Sequence, residues 1–180
     1  MAECVEYDEL LASMHSEFPG FCILPKAGSG FQKLIHRALV VITFGQMRSY
    51  LTSYHTTLGQ RIYVCEGWED KSLADRYILL AHERVHIRQF QRFTWPGMAI
   101  LYLVVPLPMG LAYFRARFEK EAYAETIRAA GAIYGAEHVR APAFREHIIR
   151  QFTGPSYGWM WPFRNSMERW YERILVEAGL

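Results

Sequence analysis

Residues 97–114, GMAILYLVVPLPMGLAYF, form a long and mostly apolar stretch without a charged residue. Its 18 residues are enough to cross a bilayer as one helix. Pro106 and Pro108 interrupt the stretch, and each removes a backbone donor and clashes with the preceding turn. The sequence therefore favours a kinked pair of buried helices, and the alternative is a hairpin that faces a membrane.

The composition predicts one folded domain over residues 1–180. Of the 180 residues, 51% are hydrophobic and 21% are charged, which is typical of a globular chain. The net charge of +2 is too small to indicate a nucleic-acid partner. Cys4, Cys22 and Cys65 form no C-x-x-C pair, so reduced thiols are expected. The amino terminus lacks the basic start and apolar core of a secretory signal, so we expect a cytoplasmic protein, with membrane association as the alternative.

Periodicity and turn signals predict a predominantly helical α+β fold with a small antiparallel sheet. Residues 40–65 are rich in Val, Ile, Thr and Tyr, and Gly59 and Gln60 form the turn signal of a hairpin. Asp70 or Ser72 can cap a helix that begins at residue 73 and ends at residue 90 or 93. Further helices are predicted over residues 6–18, 31–41, 112 or 115 to 130, 141–152 and 165–178.

The helix predicted from residue 73 contains His82, Glu83 and His86 in the order H-E-x-x-H. Histidines four residues apart lie on one face of a helix, one turn apart, so both imidazoles can reach the same ion. Glu83 points to the side of this pair, where it can take a proton from water at the metal. The order predicts a site for one Zn²⁺ with an adjacent base, and the alternative is a coincidental string on an exposed helix.

A third metal ligand has to come from another part of the chain. The next predicted helix carries Glu119, Glu121 and Glu125, and the residues alone leave open which of them completes the site. A single membrane crossing by residues 97–114 would separate the histidines from these glutamates by about 30 Å of hydrocarbon. The zinc site and a single crossing therefore exclude each other.

The segments HERVHIRQF and FEKEAYAE, preceded by TTLGQRIYV, resemble the gluzincin branch of zinc metallopeptidases. They are also similar to small uncharacterised metallopeptidases of phages and bacteria. The resemblance covers residues 60–130 and implies a zincin-like domain whose metal-site core is this segment, with a helical extension over residues 140–180. It implies Glu119 as the third zinc ligand, with Glu121 in reserve, and it places the strand RIYVC beside the substrate cleft.

The activity implied by this resemblance is hydrolysis of a peptide or amide bond in a peptide or protein substrate, with Glu83 as the base. The family pattern has an Asp four residues after the ligand glutamate, where it orients a zinc-bound histidine. This chain has Tyr123 at that position, so Tyr123 or Glu125 is left to orient the histidine.

Four points about function stay open at the level of the sequence. His147 and Tyr157 are the candidates for the donor that stabilises the oxyanion. The alternative function is a non-catalytic zinc-binding structural or assembly protein of a phage or bacterium. Residues 97–114 are a candidate for peripheral membrane contact, and the sequence does not indicate an oligomeric state.

Overall fold

The computed structural model describes residues 2–42, 45, 50–93, 97, 113–155 and 160–180. Helices dominate beside one small sheet, so the predicted α+β, mostly helical class is confirmed. In chain order the helices are α1 (Ala2–Glu17), α2 (Gly30–Ile42), α3 (Tyr50–Ser53), α4 (Leu73–Phe93), α5 (Tyr113–Tyr134), α6 (Ala136–Arg140), α7 (Pro142–Thr153) and α8 (Arg164–Ala178). The strands are β1 (Cys22–Pro25), β2 (Thr56–Leu58) and β3 (Arg61–Val64), and a 3-10 turn covers Lys26–Gly28.

The sheet is mixed and has the strand order β1-β3-β2. Strands β2 and β3 form the predicted antiparallel hairpin, and Gly59 in their connection has a φ of +62°, a conformation that other residues rarely adopt. Strand β1 pairs in parallel with β3, which the prediction of a purely antiparallel sheet did not include. The first arm of the hairpin was also predicted too long, because Tyr50–Ser53 is helical.

Helix α4 begins and ends where the sequence predicts. Ser72 caps it: its hydroxyl accepts a hydrogen bond from the Asp75 backbone N–H at 3.0 Å and donates one to the Asp75 carboxylate at 2.7 Å. One side of α4 packs on α1, where Arg84 and Arg88 both bind Glu17. This clamp holds the helix that carries the H-E-x-x-H motif.

Two hydrophobic clusters lie on either side of the packed pair α4 and α5. The first joins α1, the sheet and α4 through residues that include Met14, Phe18, Ile62, Leu80 and Ile87. The second joins α5 to the three helices that follow it, through residues that include Ile127, Ile148, Phe152, Met167 and Tyr171. Because α4 and α5 are packed from both sides, the side chains between them are held in fixed positions.

The predictions for residues 97–114 fall almost entirely outside the described residues. Helix α5 begins with Tyr113 and Phe114, which are exposed, and continues to Tyr134, beyond the predicted end at residue 130. It ends at Gly135, whose φ is +85°. Within the described ranges, no helix is both long and apolar enough to cross a membrane.

Candidate metal centre

Three potential metal-binding atoms from α4 and α5 converge in the structure. The Nε2 atoms of His82 and His86 lie 3.2 Å apart on one face of α4. The Oε2 atom of Glu119 on α5 lies 3.7 Å from the first and 3.8 Å from the second. A tetrahedral zinc ion bound at its usual bond lengths separates its ligand atoms by about 3.3 Å. The residues therefore fit a zinc ion with only small side-chain adjustments.

A hydrogen bond from α5 orients His82. Its Nδ1 lies 3.0 Å from Thr126 Oγ1, and the Thr126 hydroxyl donates its own hydrogen to the Ala122 carbonyl at 3.3 Å. The Thr126 oxygen therefore accepts from His82, and the proton of a neutral His82 imidazole sits on Nδ1. The lone pair of Nε2 is left facing His86 and Glu119, as a metal ligand requires.

Gln89 orients His86 in the same way. Its side-chain NH₂ donates to the Phe118 carbonyl at 3.1 Å and to Glu121 Oε2 at 2.9 Å, which fixes the orientation of the amide. The amide oxygen then accepts from His86 Nδ1 at 2.9 Å. In their neutral forms, both histidines therefore carry the ring proton on Nδ1, on the side away from Glu119.

Burial and neighbouring charges together set the pKa values of the two histidines. Desolvation holds the pKa of His82 well below its ordinary value, so this ring is neutral. Burial also lowers the pKa of His86, but the charges of Glu119 and Glu83 outweigh it, so the pKa of His86 is raised. Glu119 itself is only 2% exposed. A divalent cation bound between the three ligand atoms would interact favourably with the buried Glu119 carboxylate.

Glu83 is buried next to the cluster and does not belong to the group of three converging atoms. Its Oε2 accepts a hydrogen bond from the Thr57 hydroxyl on β2 at 2.5 Å. Burial raises the pKa of Glu83, and the Glu119 charge adds to this, while His86 and Thr57 act in the opposite direction. The arrangement provides a carboxylate with one tethered oxygen directly beside a potential metal site.

The other glutamates of α5 lie outside the cluster. Glu121, the reserve ligand, is exposed and binds Gln89 with one oxygen. Glu125 forms an ion pair with Arg128 at 3.3 Å. Tyr123 packs the edge of its ring against His82, with centroids 4.7 Å apart. The orienting hydrogen bond to His82 comes from Thr126 instead, which sequence reasoning missed, as it missed Gln89.

The two candidates for the oxyanion donor were His147 and Tyr157. His147 is exposed on α7, with its Nε2 3.4 Å from Gln151 Nε2, and Tyr157 lies outside the described residues. Strand β3, which was expected beside a substrate cleft, has a neighbouring strand on each side. The strand that reaches the cluster is β2, through Thr57.

A cavity of about 490 Å³ lies on the opposite face of the sheet. Arg61 and Tyr63 line it, and in a strand their side chains alternate with Ile62, which packs in the cluster shared with α4. Phe31 from α2 forms part of its wall. The cavity is therefore separate from the candidate metal centre.

The fold and the site together define a class: a mostly helical α+β domain with a buried His-His-Glu cluster beside a carboxylate. No protein-family model, curated protein or solved structure matches the chain significantly.

Proposed function

We propose that the protein is a zinc-dependent hydrolase, of gluzincin type, that cleaves peptide or other amide bonds in a peptide or protein substrate. The observation that carries the proposal is the convergence of His82, His86 and Glu119. The tethered, non-ligating Glu83 beside them supports it further. Such a hydrolysis needs a metal ion that activates a water molecule and a general base beside it that takes the proton of that water.

The donor set suits zinc and an open site. Two imidazole nitrogens and one carboxylate oxygen are ligands that zinc accepts readily. Structural zinc sites are closed by four protein ligands, whereas catalytic ones use three and leave one position for water or substrate. When bound, the ion would polarise the scissile carbonyl and activate a water molecule. Among the described residues three ligands converge, and this number favours a catalytic role.

The proton is moved by Glu83. Thr57 holds Oε2, so Oε1 is the oxygen that takes a proton from the attacking water. The same carboxyl group then gives this proton to the leaving amine, which completes the cleavage of the amide bond. Thr126 and Gln89 keep the two imidazoles in the tautomer that the ligand role requires.

A second candidate function is a non-catalytic zinc protein, such as a structural or assembly component of a phage or bacterium. The low exposure of the ligand side chains favours it: 13% for His82, 11% for His86 and 3% for Glu119. A zinc ion there could tie α4 to α5 without any chemistry. Glu83 weighs against this role, because a structural zinc needs no base beside it.

We also propose the cytoplasm as the compartment. Cys22 and Cys65 are free thiols in the described part of the chain, and reduced thiols are the rule in the cytosol.

The decisive experiment compares the wild type with Glu83→Gln after loading with zinc. Both proteins should contain one zinc ion per chain by elemental analysis. Cleavage of a broad peptide library should fall by about 100-fold or more in the variant, because general-base catalysis contributes that much. Equal cleavage by the two proteins would overturn the hydrolase proposal, and a zinc-loaded wild type that cleaves nothing would favour the structural function.

The ligand assignment has a matched pair of variants on α5. Glu119→Gln removes a converging carboxylate and should abolish stoichiometric zinc binding, whereas Glu121→Gln removes an exposed one and should retain it. The opposite result would transfer the third ligand to Glu121.

A further inference from the structure

Helix α2 places polar side chains towards the rest of the molecule. Gln32 is completely buried, and its side-chain oxygen accepts a hydrogen bond from the Tyr50 hydroxyl at 2.6 Å. His36, one turn further along the same side, stacks on the Tyr50 ring with centroids 6.4 Å apart. A helix at the surface of a globular protein normally buries its large apolar residues, so those that stay on its outward side need an explanation.

The outward side of α2 is correspondingly apolar. Phe31 is 49% exposed, Leu34 62% and Val41 74%, and Ala38 between them is exposed as well. These four positions are spaced i, i+3, i+7 and i+10, so they form one continuous stripe along the 13-residue helix, about 20 Å long. We call this stripe the outer face of α2. An apolar stripe of this size on the surface indicates a binding partner.

The charged residues of α2 itself all have one sign. Lys33 and Arg37 are exposed beside the stripe, and residues 30–42 contain no Asp or Glu. Arg61 and Phe31 line the same cavity, so a third basic side chain lies near the amino-terminal end of the stripe. The partner of this surface should therefore combine an apolar layer with negative charge.

We infer that the outer face of α2 binds the surface of an anionic lipid membrane, with its apolar stripe among the acyl chains and Lys33 and Arg37 at the lipid phosphates. An amphipathic helix with basic residues beside its apolar face is the usual means of such interfacial binding. A second copy of the chain fits less well, because two facing stripes would bring like charges together and a helix of this length buries little area. The inference is independent of the metal centre.

The test is co-sedimentation of the 180-residue chain with lipid vesicles. One set of vesicles contains phosphatidylcholine alone, and the other contains phosphatidylcholine and phosphatidylglycerol in equal parts. The wild type should bind the anionic vesicles preferentially, and Leu34→Glu with Val41→Glu should weaken that binding by about tenfold or more. Val176→Glu on α8 is the matched control, because Val176 is 78% exposed and lies off the stripe, and it should bind as the wild type does.

A second variant tests the basic residues without changing the apolar stripe. Lys33→Gln with Arg37→Gln should lose the preference for anionic over neutral vesicles, and added salt should have the same effect on the wild type. Circular dichroism verifies the folding of every variant. If the double glutamate variant is unfolded, Lys33→Gln with Arg37→Gln becomes the test of the inference. Absent wild-type binding, or equal binding by the stripe variant and Val176→Glu, would overturn the inference. So would a dimer in analytical ultracentrifugation that the stripe variant dissociates, because the face would then bind a second copy.

Discussion

Two buried polar networks in the described part of the chain differ in where their polar atoms point. In the candidate metal centre, the hydrogen bonds of His82 and His86 point outward, so that their remaining nitrogens and Glu119 face one another. Around Lys26, which is fully buried, the ammonium group donates to the carbonyls of Tyr50 and Tyr54 at 3.0 and 2.8 Å and to the Thr56 hydroxyl at 2.7 Å.

The two networks differ in whether they need a bound ion to satisfy their polar atoms. The three hydrogens of the Lys26 ammonium all have acceptors within the chain, so that network is satisfied by itself. The metal centre instead directs three ligand atoms at one point, where a cation would complete it. A cluster of buried polar groups thus indicates a binding site when its unused ligand atoms point at one position. It indicates a structural role when every donor has an acceptor within the chain.

The largest expected effect comes from opening the Lys26 network. Lys26→Met removes the donor to three acceptors, and we expect the free energy of unfolding to fall by about 3 kcal/mol, because each buried acceptor left without its donor is costly. Urea denaturation measures this. Lys33→Met is the control, since Lys33 is exposed on α2, and its effect should stay within about 0.5 kcal/mol. Similar losses in both variants would mean that the Lys26 network is not a structural unit.

The candidate metal centre should stabilise the fold mainly when zinc is bound. With free zinc at about 100 times the dissociation constant, the wild type should be about 2.7 kcal/mol more stable than after chelation, because the ion binds only the folded state. Thermal denaturation with zinc or with chelator measures the difference. His82→Ala should show no such difference, and a zinc-independent wild type would remove the contrast between the two networks.

A smaller effect, on zinc affinity, is expected from Gln89, which hydrogen-bonds His86. Gln89→Leu removes the acceptor of His86 Nδ1 and should weaken zinc binding by about 10- to 100-fold, because the imidazole is then free to change tautomer and orientation. Competition with a chromophoric chelator gives the affinity. Gln91→Leu changes an exposed glutamine on the same helix and should leave the affinity unchanged; equal affinities in the two variants would show that Gln89 does not position His86.

The smallest effect is a pH dependence of the Lys26 network. Burial lowers the pKa of Lys26 to about 8 from its ordinary value of 10.5. Between these values the folded state holds fewer protons on Lys26 than the unfolded chain does, so stability should rise with pH from about 8 upward, by at most about 1.4 kcal/mol per pH unit. The comparison is wild type against Lys26→Met by urea denaturation at pH 7, 8 and 9. Parallel pH profiles of the two proteins would contradict the shifted pKa.

Local patterns predicted those parts of the fold whose signals lie within one element. The serine before α4, the turn at Gly59 and the apolar periodicity placed α4 and the hairpin correctly, because capping and turn geometry depend on adjacent residues. Strand β1 was missed because it is four residues long and pairs with β3 across a sequence separation of 39 positions at Cys22 and Arg61. Nothing in so short a segment specifies that partner.

The sequence by itself determined that His82 and His86 share a face of one helix, since a spacing of four residues fixes this locally. Only the tertiary structure shows that Glu119 faces the two histidines and that Glu121 lies at the surface. Side chains two positions apart on an α-helix, such as Glu119 and Glu121, point about 200° apart. The rotation of α5 against α4 therefore places one of them in the buried interface and leaves the other at the surface. That rotation is set by the two hydrophobic clusters that enclose the helix pair. The same packing brings Thr126 to His82, a contact across 44 positions of the chain that no local pattern contains.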